Sequence, residues 1–155
     1  SMNKVHKRAY DIILFLLGIV ATAMIFLPAL IYRDSDTSFL GYEVVFGTEF
    51  VNLGIFGSGQ LEPIVLGMFA FALPLAAGIT AVLFKRGALV SALLFIGGAI
   101  MLFLLPTFTI ASVTILDSRT VLDVTWTMGA GLIVAGVASS CGAAVSLVKA
   151  VIVPE

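Results

Sequence analysis

Apolar residues fall into four long runs at about 9–32, 63–84, 88–108 and 125–148, separated by polar segments of unequal length. A helix rises about 1.5 Å per residue, and a hydrocarbon core about 30 Å thick takes roughly 20 helical residues, so each run is long enough to span one. Asp11 is the last charge in the first run, Glu62 precedes the second, the third has none, and Lys149 follows the fourth. The stretch from Ile12 to Tyr32 outruns the roughly 7–15-residue core of a signal peptide, so it reads as a span even though Ala21-Thr22-Ala23 looks like a cleavage site. The pattern predicts an all-α membrane protein: a four-helix transmembrane bundle in one domain, 1–155. The tight inner loop 85–87, Lys85-Arg86-Gly87, makes spans two and three an antiparallel hairpin.

The long connection 33–62 does not read as a flexible linker. Gly41-Tyr42-Glu43-Val44-Val45-Phe46-Gly47 mixes β-branched and aromatic residues between glycines, and 49–56 repeats the mixture after a short turn, which predicts a β-hairpin. A lone two-stranded ribbon is marginal in water. The connection 109–124 offers a third strand in Thr109–Leu116, so a small extracellular β-sheet is expected on the bundle; the rival reading continues the third span as helix past Thr107. Tyr42, Val44, Phe46 and Phe50 are the expected contact residues of that sheet. Gly54, Gly57 and Gly59 near Ser58 lack the Gly-Lys-Ser/Thr ending of a phosphate loop and read as turn residues.

Composition agrees with a lipid exterior. Hydrophobic residues make up 61% of 155, charged residues 11%, and the mean hydropathy is +1.19, against roughly 25% charged in a soluble domain. The net charge of −1 hides an asymmetry. Lys4, Lys7, Arg8, Lys85, Arg86 and Lys149 fall on one side of the spans. The other side carries Arg33 and Arg119 against Asp34, Asp36, Glu43, Glu49, Glu62, Asp117 and Asp123. Cations are retained in the cytoplasm, so both termini are expected there and the acidic loops outside. Tyr10, Tyr32 and Trp126 read as interfacial anchors. No basic surface suggests nucleic acid, and Ser1 ahead of Met2 reads as a residue left by tag cleavage.

Within the spans, short side chains recur at helical spacing, as close packing in lipid requires. Gly131, Ala135, Ala138 and Gly142 form one stripe on the fourth span, with Gly129, Gly136, Ser140 and Ala143 as a second; Gly67, Ala70, Pro74, Ala77 and Ala81 form one on the second span, kinked at Pro74. These are expected to pack the bundle or to face another subunit. Catalytic chemistry finds little material. His6 is the only histidine and sits among Lys4, Lys7 and Arg8; Cys141 stands alone and reads as a packing residue; Ser91, Ser139 and Ser140 have no base beside them. Past Asp11 the spans hold no carboxylate of the kind proton-coupled transport uses. An EF-hand starting at Asp34 would need Gly at position 39 and Glu at 45, where Phe39 and Val45 stand. The chain is therefore expected to be no enzyme and to hold no catalytic, cofactor or metal site.

Four spans, a longer first outer loop with β character at 41–56, a short second one and the inner turn at Lys85-Arg86 resemble the claudin-type tetraspan architecture. The family's Gly-Leu-Trp and paired cysteines are absent, the nearest match being Asn52-Leu53-Gly54-Ile55-Phe56. The organisation is also similar to that of small four-span proteins of Gram-positive bacteria. The resemblance implies cell–cell contact or subunit assembly. The structured outer loop, the small-residue stripes and the lack of polar residues in the spans give an interaction protein, with the chain itself, another membrane protein and membrane lipid as partners. The alternative is a carrier or accessory subunit holding a lipid or hydrophobic molecule between helices, near Pro74, Gly97-Gly98, Met24, Met68 and Met101. Outer loops without cysteine or an Asn-x-Ser/Thr acceptor point to a bacterial cell membrane.

Overall fold

The computed structural model describes residues 2–32, 37–52, 54–84, 87–122 and 124–152, with side chains from residue 8 onward. Expectations attached to Arg33, Asp34, Asp36, Lys85, Arg86 and Asp123 lie outside the described residues. Helix α1 (Met2–Ala23) ends in a 3-10 turn (Met24–Phe26) and strand β1 (Pro28–Tyr32) follows. Strand β2 (Ser38–Leu40), helix α2 (Gly41–Phe46) and strand β3 (Thr48–Asn52) lead through a second 3-10 turn (Gly54–Phe56) to β4 (Gly57–Leu61). Then come α3 (Val65–Leu83), α4 (Ala88–Phe108), β5 (Ala111–Ile115), β6 (Ser118–Val121), β7 (Trp126–Met128) and α5 (Ala130–Ile152).

Four helices, α1, α3, α4 and α5, are long and apolar enough to cross a membrane. They pack in the ring order α1–α3–α4–α5 with every neighbour antiparallel. All the strands lie at the end where α1 and α4 finish and α3 and α5 start, so that end of the bundle carries a β cap. The cap has two sheets, β2–β1–β7 and β3–β4–β5–β6, each antiparallel throughout.

The middle of the bundle is built around Pro74. Proline has no N–H, so the Ala70 carbonyl four residues back loses its helical donor, and the ring crowds the turn before it. Thr22 Oγ1 on α1 donates to the Phe71 carbonyl at 2.7 Å. Short residues let two neighbours approach the kink: a Cβ at Gly18 of α1 would lie 2.5 Å from the Pro74 carbonyl oxygen, and one at Gly98 of α4 2.9 Å from its ring. Ser139 on α5 donates to the Phe95 carbonyl at 2.7 Å, and Ser91 on α4 to the Ala77 carbonyl at 2.7 Å. Phe71, Phe95, Leu14, Leu102 and Leu132 fill the remaining space. Hydroxyls satisfied by carbonyls across helices are the polar counterpart of small-residue packing.

Three segments differ from the expectation. The fourth run, expected to span from about 125, opens as strand β7, paired with β1, and its helix starts only at Ala130. The first apolar run does not stay helical to Tyr32, because Pro28 opens β1, whose Ala29 and Leu30 are buried between the cap and the bundle. Residues 41–46 are helix α2 and not the first strand of a hairpin. The Glu43 carboxylate accepts the Leu40 backbone N–H at 2.9 Å, and Gly41 N–H donates to the Leu27 carbonyl at 3.0 Å. These contacts hold the segment's start and outweigh the β propensity of Val44-Val45. The hairpin that does form joins β3 to β4, and β5 adds to it in register from Gly57↔Ile115 to Leu61↔Ala111. Helix α4 extends to Phe108, so the turn to strand comes just after Thr109 and the longer helical reading fails.

Candidate functional site

The two sheets of the cap do not close on each other. Between them lies a cleft of about 390 Å³ lined by Tyr32, Thr37, Phe39, Phe50, Val51, Ala111, Leu122, Val124 and Trp126. One wall comes from the three-stranded sheet, where Tyr32 on β1 stands directly across from Trp126 on β7. Their ring centroids are 6.2 Å apart at 62°. Trp126 meets Phe39 of β2 at 5.7 Å and 79°, and Phe39 meets Phe50 of β3 at 6.1 Å and 65°. Four rings thus run unbroken from one sheet to the other. Gly59 on β4 makes the last position possible, since a Cβ there would come within 2.7 Å of the Phe50 ring. Opposite the rings the lining is aliphatic, with Leu122 N–H donating to the Ala111 carbonyl at 2.9 Å.

A second feature sits at the far end of the four-stranded sheet. The 3-10 turn before β4 and the turn between β5 and β6 emerge side by side, because Gly57 pairs with Ile115. Ile55 is 88% exposed, Phe56 65% and Leu116 74%. Leu116 (φ 48°) and Asp117 (φ 66°) both adopt the left-handed region, the sign pattern of a type I′ turn that normally takes Asn-Gly. A leucine held there costs about 1–2 kcal/mol relative to glycine.

A third lies at the opposite end of the bundle. Lys149 of α5 is completely buried and donates to Asp11 of α1. One turn away Ser146 Oγ lies 3.4 Å from Ser91 Oγ. A charge enclosed in an apolar bundle requires a partner, and the pair ties the first long helix to the last.

The expected packing residues take their places inside the molecule. Gly131, Ala135, Ala138 and Gly142 are buried on α5, and Gly67, Ala70, Pro74 and Ala77 on α3. Gly142 receives the Phe95 ring and Gly67 the Val45 side chain. Of the expected contact residues, Val44 is buried and belongs to the core, whereas Tyr42, Phe46 and Phe50 are exposed, on α2 for the first two and on β3 for the third. Phe26 and Tyr42, 6.3 Å apart, continue an apolar collar where cap meets bundle. Tyr32 and Trp126, read from sequence as separate anchors, are cross-strand neighbours on one wall of the cleft. Cys141 is exposed on α5 and does not pack. Ser140 donates to the Gly136 carbonyl of its own helix at 2.8 Å. Among the described residues no three His, Cys, Asp or Glu side chains gather.

Sequence reasoning missed the cleft and the Lys149–Asp11 pair. The periodicity of Tyr32, Phe39 and Trp126 within their own short strands carries no sign that they converge. The pair did leave a signal: Asp11 stands just inside the start of the first apolar run and Lys149 directly after the end of the fourth, with opposite charges. Comparison of the chain with protein-family models, curated proteins and solved structures finds no match.

Proposed function

We propose that this chain is a non-enzymatic multi-pass protein of the bacterial cell membrane, with both termini cytoplasmic, whose bundle holds the cap outside for assembly with another membrane protein or another copy of itself. The observation that carries the reading is the pair of adjacent turns at the end of the cap. Ile55, Phe56 and Leu116 meet solvent together, and Leu116 does so at a conformational cost. Exposed apolar residues held in a strained conformation point to a contact surface. The packed, proline-centred bundle suits a platform, and the likeness to claudin-type organisation favours the same class. The collar of Phe26, Tyr42 and Phe46 would seat the cap in the lipid interface.

The cleft supports a second reading, a ligand-binding subunit whose ligand sits between the sheets of the cap and not between helices. Native mass spectrometry of protein extracted gently from its own membrane separates the two. A reproducible protein partner or homo-oligomer, lost when Ile55 and Leu116 are both replaced by serine, is the result expected. A monomer carrying one defined small molecule would transfer the function to the cleft.

A further inference from the structure

We propose that the cleft binds an organic cation: an ammonium head, quaternary or tertiary, on a short apolar body. The inference rests on the cleft and not on the hairpin turns, so it stands or falls separately from the assembly reading.

The volume comes first. Protein interiors are close-packed, and a gap of about 390 Å³ between two sheets falls in the range of small-molecule sites, well beyond a packing defect. The rings that border it are not sealed away either, since Phe50 is 37% exposed and Tyr32 and Trp126 are half-buried.

The lining then selects the charge. An anionic ligand would need a cation or a cluster of donors, and the described side chains around the cleft supply one phenol, one indole N–H and one threonine. Arg119, the cation among the described cap residues, is committed to Glu62: its Nε donates to Oε1 at 2.7 Å. What the cleft offers in quantity is ring surface, from Tyr32, Phe39, Phe50 and Trp126. Aromatic faces carry the negative part of a quadrupole, and an ammonium within about 6 Å of a ring centroid is attracted to it. Successive rings are inclined by 62°, 79° and 65°, so they present walls in several directions and not one flat stack. A rounded cation can therefore meet more than one face. Ala111, Leu122 and Val124 accommodate its apolar body.

Charge complementarity points the same way. Segments 33–62 and 109–124, from which most of the cap is made, contain seven carboxylates and two arginines in the sequence. A field of that sign concentrates cations at the mouth of a cleft. Among its described residues the lining has no carboxylate to replace the water of a small inorganic cation.

Trp126 is the only tryptophan and lies in the cleft, so its emission reports occupancy directly. The test titrates the full chain in a non-ionic detergent with benzyltrimethylammonium, with its neutral carbon isostere neopentylbenzene and with benzenesulfonate. A saturable change with the ammonium, about tenfold weaker with the isostere, is expected, and no saturation with the sulfonate. Tyr32→Leu and Phe50→Leu, both at incompletely buried positions, are expected to weaken the ammonium response severalfold with an unchanged circular dichroism spectrum. Equal responses to ammonium and isostere would reduce the cleft to a greasy cavity and overturn the proposal. So would no response in the unaltered protein, which needs no variant to interpret, or a response indifferent to both substitutions.

Discussion

Lys149, fully enclosed on α5, donates to Asp11 on α1 and joins the first and last membrane-length helices at the end away from the cap. Asp11→Asn would leave the ammonium enclosed without its counter-charge, a loss of about 3–5 kcal/mol. We expect a clearly lower thermal midpoint in detergent. Asp11→Asn combined with Lys149→Met is expected to recover most of it, because an apolar side chain of similar length needs no partner. A single variant with the midpoint of the unaltered protein would show that the pair contributes nothing.

Gly18 and Gly97 make a matched contrast inside the bundle. An added Cβ at Gly18 meets the Pro74 carbonyl at 2.5 Å, whereas at Gly97 its nearest contact is the Leu73 Cδ1 at 3.5 Å. Gly18→Ala forces α1 and α3 apart and is expected to cost about 1–3 kcal/mol. Gly97→Ala is expected to be neutral or slightly stabilising, since alanine is the better helix former. Thermal unfolding of the two variants side by side checks the helix contact at the kink; equal midpoints would contradict it.

Orientation has its own test. In a Cys141→Ser background, Ser118→Cys in the cap and Ala150→Cys at the other end of the bundle are both exposed positions. An impermeant maleimide applied to intact cells is expected to label position 118, and position 150 only after permeabilisation. The reverse pattern would invert the charge argument that places both termini in the cytoplasm.

The four long helices were legible because hydropathy over about 20 residues is a strong signal, and β5 because Val113-Thr114-Ile115 are β-branched after a helix-ending stretch. The end of α1 was not. Ala29 and Leu30 are buried in the cap as thoroughly as a span residue is buried in the bundle, so the apolar run continues through a change from helix to strand that only Pro28 marks. Helix α2 was misread because its start depends on Glu43 and on the distant Leu27 carbonyl, contacts that local propensity does not see. The cleft is a product of topology: Tyr32, Phe39, Phe50 and Trp126 come from four strands in two sheets, and their convergence follows from the pairing of β1 with β7 nearly a hundred positions away.

Leu116 links stability to function in opposite directions. Leu116→Asn supplies the residue a left-handed turn position prefers and is expected to stabilise the chain by about 1 kcal/mol. If the leucine is kept as a contact, the same change weakens assembly. A raised thermal midpoint together with reduced recovery of the partner or oligomer is the expected outcome. A variant more stable and fully assembled would remove Leu116 from the contact.

The central claim, that the end of the cap meets another protein, is tested most directly by placing a photo-reactive amino acid at position 116 and irradiating cells that contain the protein in its own membrane. A discrete protein adduct from position 116, absent from a matched probe at the exposed bundle position 93, is the result predicted. Adducts from position 93 alone, or none from position 116 beyond solvent and lipid, would contradict it.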